Sequence, residues 1–367
     1  MNSISSFEES LVSAFERALA SIPMIEIANS QRHVRMPNGM SSPEADAIIQ
    51  IQANGKPMTL LVEAKNYVYP RDAREAVWQL RTFQNALSRS AGPAEIVPVL
   101  ISNSLSESAK GLLREENIGY FEEGGSLFLT KGDLYILLDR PPSKKAARIT
   151  RTIFSGSRAQ VLLALMQDPQ SWHNVKDLSD KAFVSPGTVS QVLSELEKRE
   201  WAVSRGSGPK KERKLQDPRS ILDAWSGHAM QSPRSRATRY FVPSSKPDEL
   251  MHRIDQRCKE TGATYAITGE WAAQIYSPFL SSISQVRCRF PAGQPIGILT
   301  TDLGARVVTE GSNFEAIETH SHGPFLFCEE HRGVRLANPI VVYLDLLRFG
   351  GRARELAEHL RQERIHF

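Results

Sequence analysis

Two runs of alternating apolar and polar residues flank an Asn-Gly pair in "PEADAIIQIQANGKPMTLLVEAKN", Pro43 to Asn66. The period of two is that of a strand. Asn54-Gly55 is the pair a type I′ hairpin turn asks for, because both central residues need positive φ. A two-residue loop there places Ala53 opposite Lys56 and carries Asp46 opposite Glu63. In that register Ala47, Ile49, Ile51 and Ala53 share an apolar face with Met58, Leu60, Val62 and Ala64. Asp46, Glu63 and Lys65 gather at one end of the opposite face.

Helical periodicity precedes the hairpin in "SFEESLVSAFERALA" and follows it in "DAREAVWQLRTFQNALS". Next come a strand, "EIVPVLISN", a helix, "SESAKGLLREEN", and two strands, "IGYFEE" and "SLFLTKG". Ser6 and Glu9 have the spacing of a helical capping box. "LDRPPSKKAARITR", Leu138 to Arg151, is polar and basic with two prolines and reads as a linker. Met230 to Leu250 is a second break, rich in Ser, Pro and Arg.

Between the breaks, Val161, Leu162, Leu165 and Met166 form one apolar helical stripe, and "NVKDLSDKAF" is a short second helix. In "VSPGTVSQVLSELEKREW", Ser185 suits an N-cap and Pro186 the first helical position. Val189, Val192, Leu193 and Leu196 make its buried stripe. The opposite face carries Gly187, Thr188, Ser190, Gln191 and Ser194, small or polar residues that, with the N-cap Ser185, are able to meet base edges or phosphates. "WAVSRGSGPKKERKLQD" then reads as strand, turn, strand.

Towards the C-terminus, Asp248 to Gly262 is an amphipathic helix, and "QVRCRF" and "FEAIETH" alternate like strands. The last stretch is two helices broken at Gly350-Gly351, the first starting at Asn338-Pro339. Trp172, Trp201, Trp225 and Trp271 read as core residues. His320, His322, Cys328 and His331 could ligate zinc, but their spacing matches no strong finger pattern and reads as loop histidines with a small apolar cysteine. Glu355, Glu358 and Arg361 read as a solvated helix face.

With 367 residues, the chain is expected to form two or three domains. Hydrophobic residues at 41% and charged residues at 23% belong to a soluble globular class. The net charge of +4 alone identifies no partner. Its distribution is more telling. Between Lys198 and Lys214, seven basic residues including Arg205, Lys210, Lys211, Arg213 and Lys214 face only Glu200 and Glu212, which places positive charge where a wing meets phosphate. Three cysteines without CxxC spacing point to a reducing compartment. The N-terminus lacks a signal-peptide pattern, and no apolar run approaches the ~20 residues of a membrane span. A cytoplasmic location without membrane contact is expected.

Two adjacent carboxylates favour a hard divalent cation such as Mg²⁺, and a nearby ammonium can orient water or stabilise developing charge. Asp46 followed by Glu63-Ala64-Lys65, with this order of elements, resembles the PD-(D/E)xK superfamily of restriction-endonuclease-like nucleases over roughly residues 1–140. The proline of that motif normally precedes the Asp directly, whereas here Pro43 is earlier. The resemblance implies metal at Asp46 and Glu63, catalysis assisted by Lys65, and a supporting Gln79 on the following helix, with Phe83 where relatives often carry Tyr. It also implies an acid from the first helix, for which Glu8, Glu9 and Glu16 are candidates.

Residues 151–228 resemble a winged helix-turn-helix of the bacterial regulator type. Together with "AITGEWAAQIY" and "NPIVVYLDLLRFGGRARELAEHLR", they resemble AbiEi-family antitoxin-type regulators of type IV toxin–antitoxin systems. That resemblance implies promoter binding, a cognate toxin and an α+β domain over 248–367 after a linker at 229–247. The expected architecture is therefore an α/β multidomain chain. A restriction-endonuclease-like mixed sheet with flanking helices comes first, then a linker at 141–150, the winged helix and the α+β domain. Two readings follow. One is a DNA-binding transcriptional regulator on duplex DNA, expected to be a homodimer because paired half-sites favour one. The other is a Mg²⁺-dependent DNA nuclease targeted by its winged helix.

Overall fold

The computed structural model describes residues 2–35, 44–90, 95–141, 152–233, 235–243, 246–280 and 282–367. Pro43 and residues 142–150 of the linker expected at 141–150 lie outside them. Two compact units emerge, one of residues 1–150 with 197–200, the other of 151–196 with 201–367.

In the N-terminal unit the order is α1 (Asn2–Ala20), β1 (Ile25–Arg35), β2 (Glu44–Ala53), β3 (Lys56–Val68), α2 (Pro70–Ser90), β4 (Glu95–Leu105), α3 (Glu107–Glu115), β5 (Gly119–Glu122), β6 (Leu127–Lys131) and β7 (Leu134–Leu138). Among the described residues these strands form one mixed seven-stranded sheet, β1 to β7 in sequence order. β3, β4 and β5 run parallel. Parallel neighbours need long crossovers, which α2 and α3 provide. The other neighbouring pairs are antiparallel.

Each sheet face has its own core. Leu11, Val12, Phe15 and Leu19 of α1 pack on Ala47, Ile49, Ile51, Ala53, Met58, Leu60, Val62 and Ala64. Those eight strand residues are the apolar face expected from the alternation. The other face is covered too: Ala73, Ala76, Leu80 and Phe83 of α2 and Leu113 of α3 bury Ile48, Leu61 and Leu100. β4 is consequently buried along most of its length, as central parallel strands are. Phe83 is thus a core residue.

Asn54 and Gly55 both have positive φ, 51° and 74°, and pairing runs from Ala53↔Lys56 to Ala47↔Val62. The expected register is therefore the observed one. Three features differ from expectation. α1 begins at Asn2, ahead of the start expected at Ser6. β1 and β7 were not legible; β1 is polar, partly exposed and interrupted by a bulge between Ile27 and Asn29. Ala45 joins the α2-side core although it has the parity of the α1-side residues, so alternation breaks next to Asp46.

The C-terminal unit starts with α4 (Gly156–Gln167), α5 (Val175–Ala182) and α6 (Pro186–Lys198), whose last residues group with the N-terminal unit. β8 (Ala202–Arg205) and β9 (Glu212–Leu215) form an antiparallel hairpin. Then follow α7 (Pro218–Gln231), β10 (Ala237–Phe241), α8 (Pro247–Thr261), β11 (Ala266–Thr268), α9 (Gly269–Tyr276), β12 (Val286–Pro291), α10 (Gly297–Asp302), β13 (Arg306–Val307), β14 (Phe314–Thr319), β15 (Glu329–His331), β16 (Val334–Leu336), α11 (Pro339–Phe349) and α12 (Arg352–Leu360). Among the described residues β10 to β16 make a second sheet, ordered β13-β10-β14-β12-β11-β16-β15.

One apolar core runs through this unit from Ile153 to Ile365. The segment 229–247, expected to be a linker, holds the end of α7 and the sheet strand β10. Its Ser, Pro and Arg content hid a strand whose alternate residues are exposed. Trp225 is buried, and Trp172, Trp201 and Trp271 are half-buried. No helix among the described residues is long and apolar enough to cross a membrane.

A Cβ on Gly55 would meet nothing within 4 Å, so its requirement is conformational rather than steric. Gly55→Ala is expected to cost roughly 1 kcal/mol in urea unfolding, and Gly55→Asn less, because Asn tolerates the left-handed region better.

Candidate active site

The β2–β3 ladder ends at Ala47↔Val62. At the next position the Asp46 side chain takes over: its Oδ2 accepts a hydrogen bond from the Ala64 backbone N–H at 2.6 Å. A carboxylate thus does what a ladder carbonyl would do, and is fixed beside Glu63 and Lys65. On the other side, β1 pairs Arg32↔Ala47 and Val34↔Ala45. His33 falls between these pairs, opposite Asp46, with a left-handed φ of 49°. Such a conformation is uncommon for a residue with a Cβ and often marks a functional position.

Glu8 of α1 completes a group with His33 and Asp46: one potential ligand atom from each lies within 4.8 Å of the others. This group could hold a divalent metal ion. Among the first-helix candidates Glu9 is exposed and Glu16 is held by Arg32 at 2.6 Å, which leaves Glu8. Glu63 does not belong to that three-residue group, and stands beside it on β3. Its side chain is buried and paired with Lys65, Nζ to Oε1 at 2.9 Å. Glu63 Oε2 is buried without a hydrogen-bond partner at proper geometry, as is His33 Nε2. Gln79 of α2 nevertheless approaches Glu63 closely enough to favour its charged form.

Burial, followed by the charge of Asp46, pushes the Glu63 carboxyl up to about 7, against the pull of Lys65 and Gln79. Asp46 is raised by burial, despite the Ala64 N–H and Lys65. Glu8 is raised by burial and then by Asp46. Lys65 responds oppositely: burial would lower it, but its bond to Glu63 and the charges of Glu63 and Asp46 outweigh this and hold it charged. Neighbouring buried carboxylates with an orphaned oxygen form an electrostatic vacancy that a cation would relieve.

The sequence-predicted nuclease residues Asp46, Glu63, Lys65 and Gln79 thus share one neighbourhood, reached by Glu8 from α1. His33 was missed, because β1 lacks the alternation that would have revealed its register. In the C-terminal unit, Ser185 Oγ caps α6 through the Thr188 N–H at 3.3 Å. Gly187, Ser190, Gln191 and Ser194 are exposed and Thr188 half-exposed, while Val189, Val192, Leu193 and Leu196 are buried. On the hairpin, Arg205 is bound to Glu212 at 2.7 Å and lies over the Trp172 ring at 4.4 Å, so its charge is partly engaged. Lys210 is exposed, and Lys211, Arg213 and Lys214 are half-exposed. His320, His322, Cys328 and His331 do not converge as a metal-binding group among the described residues. His331 pairs with Glu329 at 2.9 Å, and His322 packs edge-on to Phe183.

No family model matches the chain, and no curated protein matches it. The resemblance to AbiEi regulators gains no support there. Among solved structures, a repair endonuclease from Pyrococcus abyssi is 20% identical over 31% of this chain and 46% of its own, with a TM-score of 0.24. The structure of an EndoMS–dsDNA2 complex is 20% identical over 31% of this chain and 44% of its own, at 0.22. An XisH family protein from Nostoc punctiforme is 14% identical over 34% of this chain and 98% of its own, at 0.24. The chain thus spans less than half the length of the repair endonuclease and of the EndoMS chain. Likeness of this extent assigns neither a family nor an activity.

The raised Glu63 group sets a pH dependence. The folded chain binds a proton at Glu63 that the unfolded chain releases nearer 4.5, so this contribution is complete below about 4.5 and lost as pH rises through about 7. Without divalent metal, Glu63→Gln should therefore be more stable than wild type at pH 8, by on the order of 3 kcal/mol. The gap should shrink as pH falls towards 4.5. Thermal melts of both proteins across this range measure it; a gap independent of pH would contradict the assignment.

Proposed function

We propose that the N-terminal unit is a divalent-metal-dependent endodeoxyribonuclease of the PD-(D/E)xK type, and that residues 151–228 are a winged helix that binds duplex DNA for it. The observation carrying this reading is the buried Glu63 oxygen without a partner, beside the Asp46 carboxylate and the Lys65 ammonium.

The residues present fit a metal. Asp46 and Glu63 would hold it, with Glu8 and His33 as further donors. Oxygen donors alone suit Mg²⁺, whereas the His33 imidazole favours a softer ion such as Mn²⁺. When bound, the cation supplies an activated water and a polarised phosphodiester oxygen. Lys65, kept protonated by the two carboxylates, would orient the water or offset the charge developing on phosphorus. Gln79 would steady Glu63. The Ala64 N–H fixes Asp46 before any substrate arrives, which is the preorganisation such chemistry needs.

Support for the DNA-binding part is the exposed small-polar face of α6 next to the basic hairpin. Ser190, Gln191 and Ser194 would face base edges, and Lys210, Lys211, Arg213 and Lys214 would meet phosphates. Changing those four basic residues to Ala should weaken duplex binding and reduce the salt slope by about 3.6; unchanged binding would remove the wing from the interface.

The enzymatic claim is tested by incubating wild type and Asp46→Ala with supercoiled, linear and single-stranded DNA in Mg²⁺ or Mn²⁺. Nicking by wild type that is lost in the variant is expected. Equal inertness with intact duplex binding would favour the regulator reading instead, in which the same surface binds DNA and the carboxylate cluster is scaffold.

A further inference from the structure

We propose that a two-chambered cleft in the C-terminal unit binds a nucleoside phosphate. The larger chamber, about 800 Å³, opens between β10, β12, β14 and α11 and is lined by Arg236, Arg239, Arg287, Arg289 and Arg348 against only two carboxylates, Glu315 and Asp345. The smaller, about 360 Å³, has an apolar wall of Phe154, Leu163, Trp225, Val341 and Leu344, and Glu318 and His320 also line it. Arg236, Arg289, Asp345 and Arg348 line both chambers, so one ligand can occupy the two together. Both volumes lie in the range of small-molecule sites.

The arginines divide into two sets. Arg287 is engaged by Glu270 and Glu315 and lies over the Phe349 ring at 4.1 Å. Arg289 is bound by both oxygens of Asp345 and by Thr319 Oγ1 at 2.9 Å. These paired groups build the floor, with Arg289 and Asp345 buried. Arg236 and Arg239 reach their nearest carboxylates, Glu318 and Glu315, only at 3.9 Å, and their side chains are 84% and 56% exposed. Loosely held guanidinium groups above a fixed floor suit the oxygens of a phosphate chain, which they can meet two hydrogen bonds at a time.

The second chamber gives the ligand its other half. Phe154 and Trp225 stack at 6.1 Å, and His228 lies 5.8 Å from Phe154. A flat, weakly polar ring system is what such a wall accepts. A simple anion would leave this chamber unused, and a duplex backbone is too wide to enter it.

The test uses the 367-residue chain in EDTA, so that the carboxylate cluster of the N-terminal unit cannot contribute through metal. Calorimetric titration with ATP, GTP, CTP and UTP is compared with tripolyphosphate. At least one nucleotide should bind, more tightly than tripolyphosphate. The surface double variant Arg236→Ala/Arg239→Ala should weaken it at least about tenfold. Ala159→Trp, which fills the apolar chamber from α4, should erase the advantage of the nucleotide over tripolyphosphate; circular dichroism checks that both variants fold. Absence of nucleotide binding at millimolar concentration would overturn the proposal. So would equal affinity for tripolyphosphate, or unaltered affinity in the folded arginine variant.

Discussion

The hydrogen bond from the Ala64 N–H to the Asp46 carboxylate is the point on which the candidate active site depends. It is possible only because the Asn54-Gly55 turn fixes the register of β2 against β3. A slip of one residue would turn Ala47, Ile49 and Ile51 away from α1 and disrupt the core, so the register is enforced by burial along the whole hairpin. The position of one catalytic candidate is thereby tied to the packing of many apolar side chains. Where the ladder ends, a side chain replaces the backbone acceptor, and Glu8 and His33 lie close to it.

This arrangement works against stability. Glu63 is buried with an unsatisfied oxygen, and Asp46 and Glu8 are each raised by burial. Lys65 offsets part of this, but one ammonium cannot neutralise three carboxylates. Packing on both faces of the sheet, under α1 and under α2 with α3, supplies the apolar burial that tolerates such a cluster. A fold that holds like charges together in this way is poised for a cation. The charges in the C-terminal cleft are arranged differently: Arg289 with Asp345 and Arg287 with Glu270 and Glu315 are mutually satisfied, whereas Arg236 and Arg239 are held loosely.

Much of this was legible in the sequence for a physical reason. Period-two alternation with a turn that demands positive φ specifies register, and register specifies which residues meet. Asp46, Glu63 and Lys65 could be placed together on that basis. The i, i+3, i+4, i+7 stripe of α6 likewise fixed its buried face. Illegible parts lacked such a signature. β1 is an edge strand with a bulge and few apolar residues, so His33 gave no sign of its place. β10 lies in a segment whose composition resembles a linker. The second core, under α2, was hidden because Ile48 and Leu61, which help to build it, share a sheet face with the carboxylates of the site. The arginine cleft draws on strands and a helix far apart in the chain, and no local spacing announces it.

Metal binding itself tests the central claim most directly. The 367-residue wild-type chain and its Asp46→Asn variant are titrated with Mn²⁺ at neutral pH, and free Mn²⁺ is followed by its electron paramagnetic resonance signal. The account predicts that wild type removes at least one equivalent of Mn²⁺ from solution, and that the variant does not at the same concentrations. Mn²⁺ that remains free with wild type, or is bound equally by both proteins, would contradict it.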